Sequence, residues 1–266
     1  MKKTWTTMAA ALLAGALHGH AVAQTAPAAG GAPGNLSTQP NPAAPCNPKE
    51  CAHMRSQLDD WAALGHYRAD NAALPPLTPG VPRIVFYGDS ITDFWGRGAD
   101  NGSFFPGKGY INRGISGETT PQMLVRFEQD VVHLHPAVVV ILAGTNDIAG
   151  NTGPSTPEMI EDNYTAMTKI AGGSGIKVVL SSITPAYQYP WKPSIQPVEE
   201  IRSLNQWMRT LCATGACTYL DYYDAMSDAK GAMLPGYARD GVHPTAKGYA
   251  VMAPLAEGAI AAALKQ

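Results

Sequence analysis

The sequence predicts an α/β fold, a parallel five-stranded sheet with helices on both faces, and three observations carry that reading. Short apolar runs recur along the chain, the clearest being Val138-Val139-Val140-Ile141-Leu142, unbroken by polar residues as in strands buried on both faces. Between them lie stretches whose apolar residues recur at helical spacing, which is the alternation that covers a parallel sheet. Each run then stops at glycine or a small polar residue, so the chemistry-bearing side chains collect at one edge of the sheet.

Taken in order, the chain begins with Lys2 and Lys3, an apolar stretch from Met8 to Leu17 and the small-residue site Ala21-Val22-Ala23. Residues 1–23 read as a secretory signal peptide cleaved after Ala23; the apolar run is shorter than the roughly 20 residues a membrane span needs. No cysteine follows it directly to accept lipid. Residues 24–45 are almost entirely Ala, Pro, Gly, Asn, Gln, Ser and Thr, a tether too polar to bury a core. Residues 46–266 then make one domain. The expected location is outside the cytoplasm, periplasmic or secreted.

The first helix is expected over Asp59–Asn71, with Trp61, Leu64 and Tyr67 on one side, until Pro75, Pro76, Pro79 and Pro82 lead into the strand Ile84–Tyr87. A glycine- and aromatic-rich loop follows, then a strand through Tyr110–Arg113 that ends at Gly114-Ile115-Ser116-Gly117. Thr120-Pro121 opens a helix carrying Met123, Phe127, Val131 and Leu134 and closing near His135-Pro136. After the strand Val138–Leu142, Thr156-Pro157 opens a helix with Ile160, Tyr164, Met167 and Ile170, stopped by Gly172-Gly173 before the strand Val178–Leu180. The helix Glu199–Leu211, a strand around Thr218–Leu220 and an alanine-rich helix introduced by Pro244-Thr245 complete the pattern.

A net charge of −2 on 266 residues gives no electrostatic reason to expect a nucleic-acid partner. The four cysteines form two pairs of equal spacing, Cys46 with Cys51 and Cys212 with Cys217. Export favours disulfides; of three connectivities the two local bridges are expected, with bridges between the pairs and buried free thiols as the alternatives. No HExxH, paired cysteine ligands or acidic cluster argues for a metal, and nothing calls for a cofactor.

Ser90, in Gly88-Asp89-Ser90-Ile91-Thr92, stands at the end of the first strand, and a serine hydroxyl is a poor nucleophile until a base takes its proton. His18 and His20 leave with the leader, His53 and His66 precede the first strand, and His133 and His135 sit at the opposite edge, which leaves His243 as that base. Asp240, three residues earlier, suits the role of carboxylate behind it, with Asp221 and Asp224 as alternatives. Negative charge developing on a carbonyl oxygen needs donors; Asn146, the Gly114 N–H and the N–H of Ser90 itself are the candidates. The aromatic loop Tyr187-Gln188-Tyr189-Pro190-Trp191 also reaches this edge, where Tyr187, Tyr189 and Trp191 are candidates for contact with substrate.

Together, Gly88-Asp89-Ser90, Gly114, Gly144-Thr145-Asn146-Asp147 and Asp240-Gly241-Val242-His243-Pro244 resemble the blocks of the SGNH hydrolases, also called GDSL esterases and lipases, in family order. The resemblance implies a three-layer flavodoxin-like fold with strand order 2-1-3-4-5. It implies Ser90 as nucleophile, His243 and Asp240 completing a triad, and an oxyanion hole from the Ser90 and Gly114 N–H groups and the Asn146 side chain. Thr92 stands where the second glycine of a Gly-x-Ser-x-Gly elbow would be, so a fold different from that of the α/β-hydrolases is expected. Within the family the chain is similar to bacterial secreted esterases of the platelet-activating-factor acetylhydrolase-like type. The expectation is a secreted serine esterase acting on short acyl esters such as O-acetylated carbohydrate. A lipase or lysophospholipase is the alternative, and an inactive carbohydrate-binding module the alternative of another class.

Overall fold

A computed structural model describes residues 47–266. The expected leader 1–23, the tether 24–45 and Cys46, with its expected bridge to Cys51, lie outside the described residues.

The approach to the sheet differs from expectation. Helix α1 (Pro48–Asp59) and the short α2 (Arg68–Ala72) flank a turn where one helix over Asp59–Asn71 was expected. Asp60 explains the difference. Its carboxylate accepts from the N–H groups of Leu64 and Gly65, both at 2.7 Å, and so takes donors that a continuing helix would need. Ala63 completes the turn in the left-handed region at φ 50°. Helix α1 gives no sequence signal of the usual kind because its large apolar residues Met54 and Leu58 are exposed, with no apolar stripe facing a core.

From there strands and helices alternate. The elements are β1 (Ile84–Gly88), α3 (Ser90–Phe94), β2 (Ile111–Gly114), α4 (Thr120–Asp130), β3 (Val138–Leu142) and α5 (Thr145–Ile148). They continue with α6 (Pro157–Gly173), β4 (Lys177–Ser181), α7 (Val198–Ala213), β5 (Thr218–Leu220), α8 (Tyr223–Met226) and α9 (Ala246–Ala263). The five strands run parallel in the order β2-β1-β3-β4-β5, with Gly88 level with Gly114 on one side and Leu142 on the other. That register brings the ends of β1, β2 and β3 to one line, and the loops that leave them form one edge.

Alternation along each strand divides the core. Val85, Tyr87, Val139 and Ile141 pack with Met123 and Phe127 of α4, Tyr164 of α6 and Leu204 and Met208 of α7. Ile84, Phe86, Val138 and Val140 face the other way, onto Tyr249, Met252 and Ile260 of α9 and the loop residues Trp95 and Phe105. Full burial of one such side chain contributes about 1.5–3 kcal/mol, so the frame beneath the site is far firmer than any single loop contact.

The helix starts follow their caps. Thr119, one residue before the expected Thr120, caps α4 in a reciprocal box with Gln122. Thr156 caps α6, and Thr245 caps α9 through the Gly248 N–H. Helix α4 stops at Asp130, short of His135-Pro136. A single 3₁₀ turn, Val132–Leu134, replaces its expected last turn, and His135 turns left-handed at φ 50° before the proline. The Cys212–Cys217 bridge forms as expected, joining the end of α7 to β5. Among the described residues no helix is long and apolar enough to cross a membrane.

Candidate active site

Gly88 lets a helix begin directly above the strand that precedes it: a Cβ there would lie 2.3 Å from Thr92 Oγ1 and 2.5 Å from the Leu142 carbonyl oxygen. Asp89 then caps α3, its Oδ1 accepting from the Ile91 N–H at 2.9 Å. Burial pushes the Asp89 carboxyl up to about 7, against the lowering effect of the Ile91 N–H and with a further push from Asp147. Ser90 is therefore the first residue of α3. Its N–H has no partner among the described residues, as is usual in a first helical turn.

Ser90 Oγ lies 2.9 Å from Nε2 of His243, and Nδ1 of that ring lies 2.7 Å from Asp240 Oδ2. The turn holding this pair is closed on itself: Asp240 Oδ1 accepts from the Val242 and His243 N–H groups at 3.0 and 2.8 Å. Gly241 supplies the φ of 86° that lets the chain double back, and buried Val242 anchors it. Burial would raise the Asp240 carboxyl, but the hydrogen bonds from the His243 N–H and ring and from the Val242 N–H outweigh it and hold it below the usual carboxylate range. A carboxylate on Nδ1 keeps that proton in place and leaves Nε2 to accept from Ser90. Asp221 and Asp224 are instead paired with Arg209.

Asn146, in α5, is buried, and both ends of its amide are held. Nδ2 donates to the Glu118 carbonyl at 2.9 Å, and Oδ1 accepts from Asn151 Nδ2 at 2.8 Å. One Nδ2 hydrogen is thus committed and the other remains for a ligand. Asp147 ties α5 to the start of α4 by accepting from the Thr120 N–H at 3.0 Å and its hydroxyl at 2.6 Å; burial nevertheless raises this carboxyl to about 6.

Gly114 does not fill the role expected of it. Its N–H donates to Asn112 Oδ1 at 2.9 Å, so that donor is already taken. Its place has a packing reason, since a Cβ there would lie 2.2 Å from the Asp93 nitrogen of α3. Gly117, at φ 85° in the following loop, has room around its Cα and an N–H with no partner among the described residues. Its neighbour Glu118 carries the carbonyl that holds Asn146. The signal was the second glycine of Gly114-Ile115-Ser116-Gly117.

The three aromatic candidates separate. Tyr189 is fully buried and belongs to the core, which removes it as a substrate contact. Trp191 stacks on it at 5.2 Å, lies 5.9 Å from the His243 ring and donates from Nε1 to Asn151 Oδ1 at 3.1 Å. Tyr187 is exposed and borders a separate hollow beside Asp240 and Gly241. Phe94, one helical turn after Ser90 in the aromatic stretch that the sequence offers as an alternative acyl-chain contact, does reach the site: its ring lies 5.4 Å from that of His243, with the Arg239 guanidinium over it.

Arg126 carries no sequence signal of a part in the site. Although an arginine on α4, it is fully buried, with Nε 2.6 Å from Glu118 Oε2, Nη1 3.2 Å from Asp130 Oδ2 and Nη2 donating to the Gly88 carbonyl at 3.2 Å. One guanidinium thus braces both the strand end that leads to Ser90 and the loop that holds Asn146. Among the described residues no group of three or more His, Cys, Asp or Glu side chains is gathered as a metal site would need.

Residues 86–251 match the model of the GDSL-like lipase/acylhydrolase family. A crystal structure from Bacteroides fragilis described as an acylhydrolase is 43% identical, covering 77% of this chain and 99% of that one with a TM-score of 0.74. The platelet-activating factor acetylhydrolase IB subunit alpha1 of Rattus norvegicus is 26% identical over 136 residues, 50% of this chain. Those residues are 54% of that protein, so the chain spans about half the length of the curated relatives it matches. An acetylxylan esterase from Geobacillus stearothermophilus shares the fold at 19% identity and a TM-score of 0.55, over 69% of this chain and 95% of that one.

Proposed function

The chain belongs to the GDSL-like lipase/acylhydrolase family, and from that premise we propose that it is an exported serine esterase that removes short acyl groups, acetyl foremost, from carbohydrate. The observation that carries the proposal is the contact series from Ser90 Oγ to His243 Nε2 at 2.9 Å and from His243 Nδ1 to Asp240 at 2.7 Å.

In this reading His243 Nε2 takes the Ser90 hydroxyl proton as Oγ bonds to the ester carbonyl carbon. The carbonyl oxygen becomes an oxyanion facing the Ser90 N–H, the free hydrogen of Asn146 Nδ2 and the Gly117 N–H, which takes the place expected of Gly114. Asp240 stabilises the imidazolium without taking its proton. The tetrahedral species collapses, the bond to the alcohol oxygen breaks, and His243 returns the proton to that oxygen. Water, deprotonated by the same nitrogen, then attacks the acyl-enzyme and releases the acid and Ser90.

An inactive binding module would have no use for a serine and histidine in hydrogen-bond contact at the mouth of a sheet. Export is supported by the leader-like residues 1–23 and by the Cys212–Cys217 bridge, which suits an oxidising compartment.

A fluorophosphonate probe tests the chemistry. It should label the wild-type chain on the peptide containing Ser90 and fail to label Ser90→Ala. Equal labelling of both chains would place the nucleophile elsewhere.

A further inference from the structure

Beside the oxyanion loop lies a cavity of about 540 Å³, within the roughly 300–1,000 Å³ usual for small-molecule sites. Gly117 and Glu118 border it on one side, Trp61 and Asp60 on another, and Asn151 and Gln122 close it. Asn151 joins it to the site already described, since the same side chain donates to Asn146 and accepts from Trp191. A second hollow of about 360 Å³ continues past Trp61 toward Leu58 and Met54.

Trp61 is unusual for a residue in a tied-down turn. It keeps 44% of its surface exposed. Its backbone does not explain that by being loose: the Trp61 carbonyl accepts from Gln122 Nε2 at 2.6 Å, the Leu64 carbonyl from Gln129 Nε2 at 2.7 Å, and Tyr67 donates to the Gly114 carbonyl. The backbone that carries the indole is therefore fixed while the indole itself is half uncovered, which costs hydrophobic stabilisation unless something else covers it. It also lies upstream of residues 86–251, so this wall of the cavity is supplied by the chain's own approach segment.

The lining beside Trp61 and at Asn151 carries acceptors with lone pairs to spare. Asp60 Oδ1 and Oδ2 each take one backbone N–H, and Asn151 Oδ1 takes one indole N–H. An apolar plane bordered by oxygen acceptors fits a ring with C–H bonds on its face and hydroxyl donors at its edge. An acyl chain would instead strip water from those oxygens and return nothing.

We propose that this cleft between Trp61 and Asn151 is the carbohydrate subsite: the sugar of the ester stacks on Trp61 and donates hydroxyl hydrogens to Asp60 and Asn151 while its acyl group reaches Ser90. The proposal rests on the reading of the chain as a glycan esterase and adds which surface recognises the glycan.

The test separates binding from turnover. Acetylated xylo-oligosaccharide is titrated into Ser90→Ala by calorimetry, with and without Trp61→Ala or Trp61→Phe, and the thermal midpoint of each variant is recorded. Trp61→Ala is expected to weaken binding about tenfold, the scale of one lost stacking contact, and Trp61→Phe to restore most of it. In the Ser90-intact chain the same Trp61→Ala change should lower the ratio of kcat/KM on the oligosaccharide to kcat/KM on 4-nitrophenyl acetate about tenfold. A proportional loss on both substrates, or a fallen thermal midpoint with Trp61→Phe no better, would make Trp61 a structural residue and overturn the subsite. Loss confined to a dodecanoyl ester would overturn it in favour of an acyl-chain groove. A wild-type chain that labels with fluorophosphonate and cleaves 4-nitrophenyl acetate but neither binds nor cleaves the oligosaccharide overturns the subsite while leaving the esterase chemistry standing; failure to label at all refutes the chemistry itself.

Discussion

Asn151 and Asn146 are joined amide to amide, Asn151 Nδ2 donating to Asn146 Oδ1 at 2.8 Å, and this bond fixes which way the Asn146 amide faces. Reversing that amide would point an oxygen, a second negative end, at the charge the site is proposed to stabilise. Asn146→Ala is expected to lower kcat by about 10²–10³-fold with little change in KM, because the charge exists only in the transition state. Asn151→Ala should cost roughly tenfold in kcat, the worth of one orienting hydrogen bond. Asn151→Asp should cost more than Asn151→Ala, since a carboxylate beside Oδ1 favours the reversed amide. Steady-state kinetics on 4-nitrophenyl acetate checks the order, and a change in KM alone would make Asn146 a substrate-positioning residue.

Ser90→Ala and His243→Ala should each remove most hydrolysis, and the double variant should be scarcely worse than either, because hydroxyl and imidazole act as one unit. Losses that multiply would separate the two residues. Circular dichroism of all three should match wild type, as neither side chain carries core packing.

Gly114→Ala distinguishes packing from oxyanion binding at that position, for the substitution keeps the N–H. A Cβ 2.2 Å from the Asp93 nitrogen and 2.7 Å from its Cα has to displace α3, and overpacking of this kind costs about 1–3 kcal/mol. The expected result is a lowered thermal midpoint together with lowered activity. An unchanged midpoint with a fall in kcat alone would return Gly114 to the oxyanion hole.

What the sequence discloses and what it hides can be traced to particular residues. Val138–Leu142 is legible because a strand buried on both faces needs no alternation, and Ser90 and His243 are legible because strand ends in a parallel sheet share one edge. Gly114 and Gly117 lie in one loop, and sequence does not say which N–H is already bonded to Asn112. Tyr189 and Trp191 are two aromatics in one loop, yet one fills the core and the other lies beside His243. Arg126 on a helix reads as a surface charge; Asp130 is a partner one turn along the same helix, but Gly88 and Glu118 come from other stretches that only the fold brings to it.

Stability should fall as pH rises from weakly acid to neutral, and Asp89 is one of the buried carboxyls responsible, together with Glu118, which burial also raises to about 7. The Asp89 carboxyl keeps its proton in the folded chain up to about 7 against an ordinary value of 3.8, because burial penalises the charge. A raised folded value means the contribution is fully present below the unfolded value and is lost as pH climbs through about 7. Asp147, raised to about 6 by burial, acts in the same direction. Denaturant midpoints should therefore decline between about pH 5 and pH 8, and Asp89→Asn, uncharged and still able to accept from the Ile91 N–H, should flatten the decline. A slope unchanged by Asp89→Asn would assign the pH dependence to other groups.

The aromatic rings around His243 are the expected limit on acyl length. Trp191 is fixed on one side by its stack on buried Tyr189 and its bond to Asn151, and Phe94 stands on another under the Arg239 guanidinium, which itself donates to Asn101 Oδ1 at 2.6 Å. Trp191 does not swing away without losing its stack on Tyr189 and its bond to Asn151, and Phe94 does not without leaving the Arg239 guanidinium. Two aromatic walls beside His243 should crowd a long chain at Ser90 more than an acetyl or butyryl group. The expected profile of kcat/KM on nitrophenyl esters is highest from acetyl to butyryl and falls steeply by octanoyl. Trp191→Ala removes one wall and should raise the octanoyl rate relative to acetyl, even as it lowers the acetyl rate by loosening Asn151. A wild-type profile that climbs toward dodecanoyl would sink the short-acyl reading and place the chain among enzymes of lipid esters.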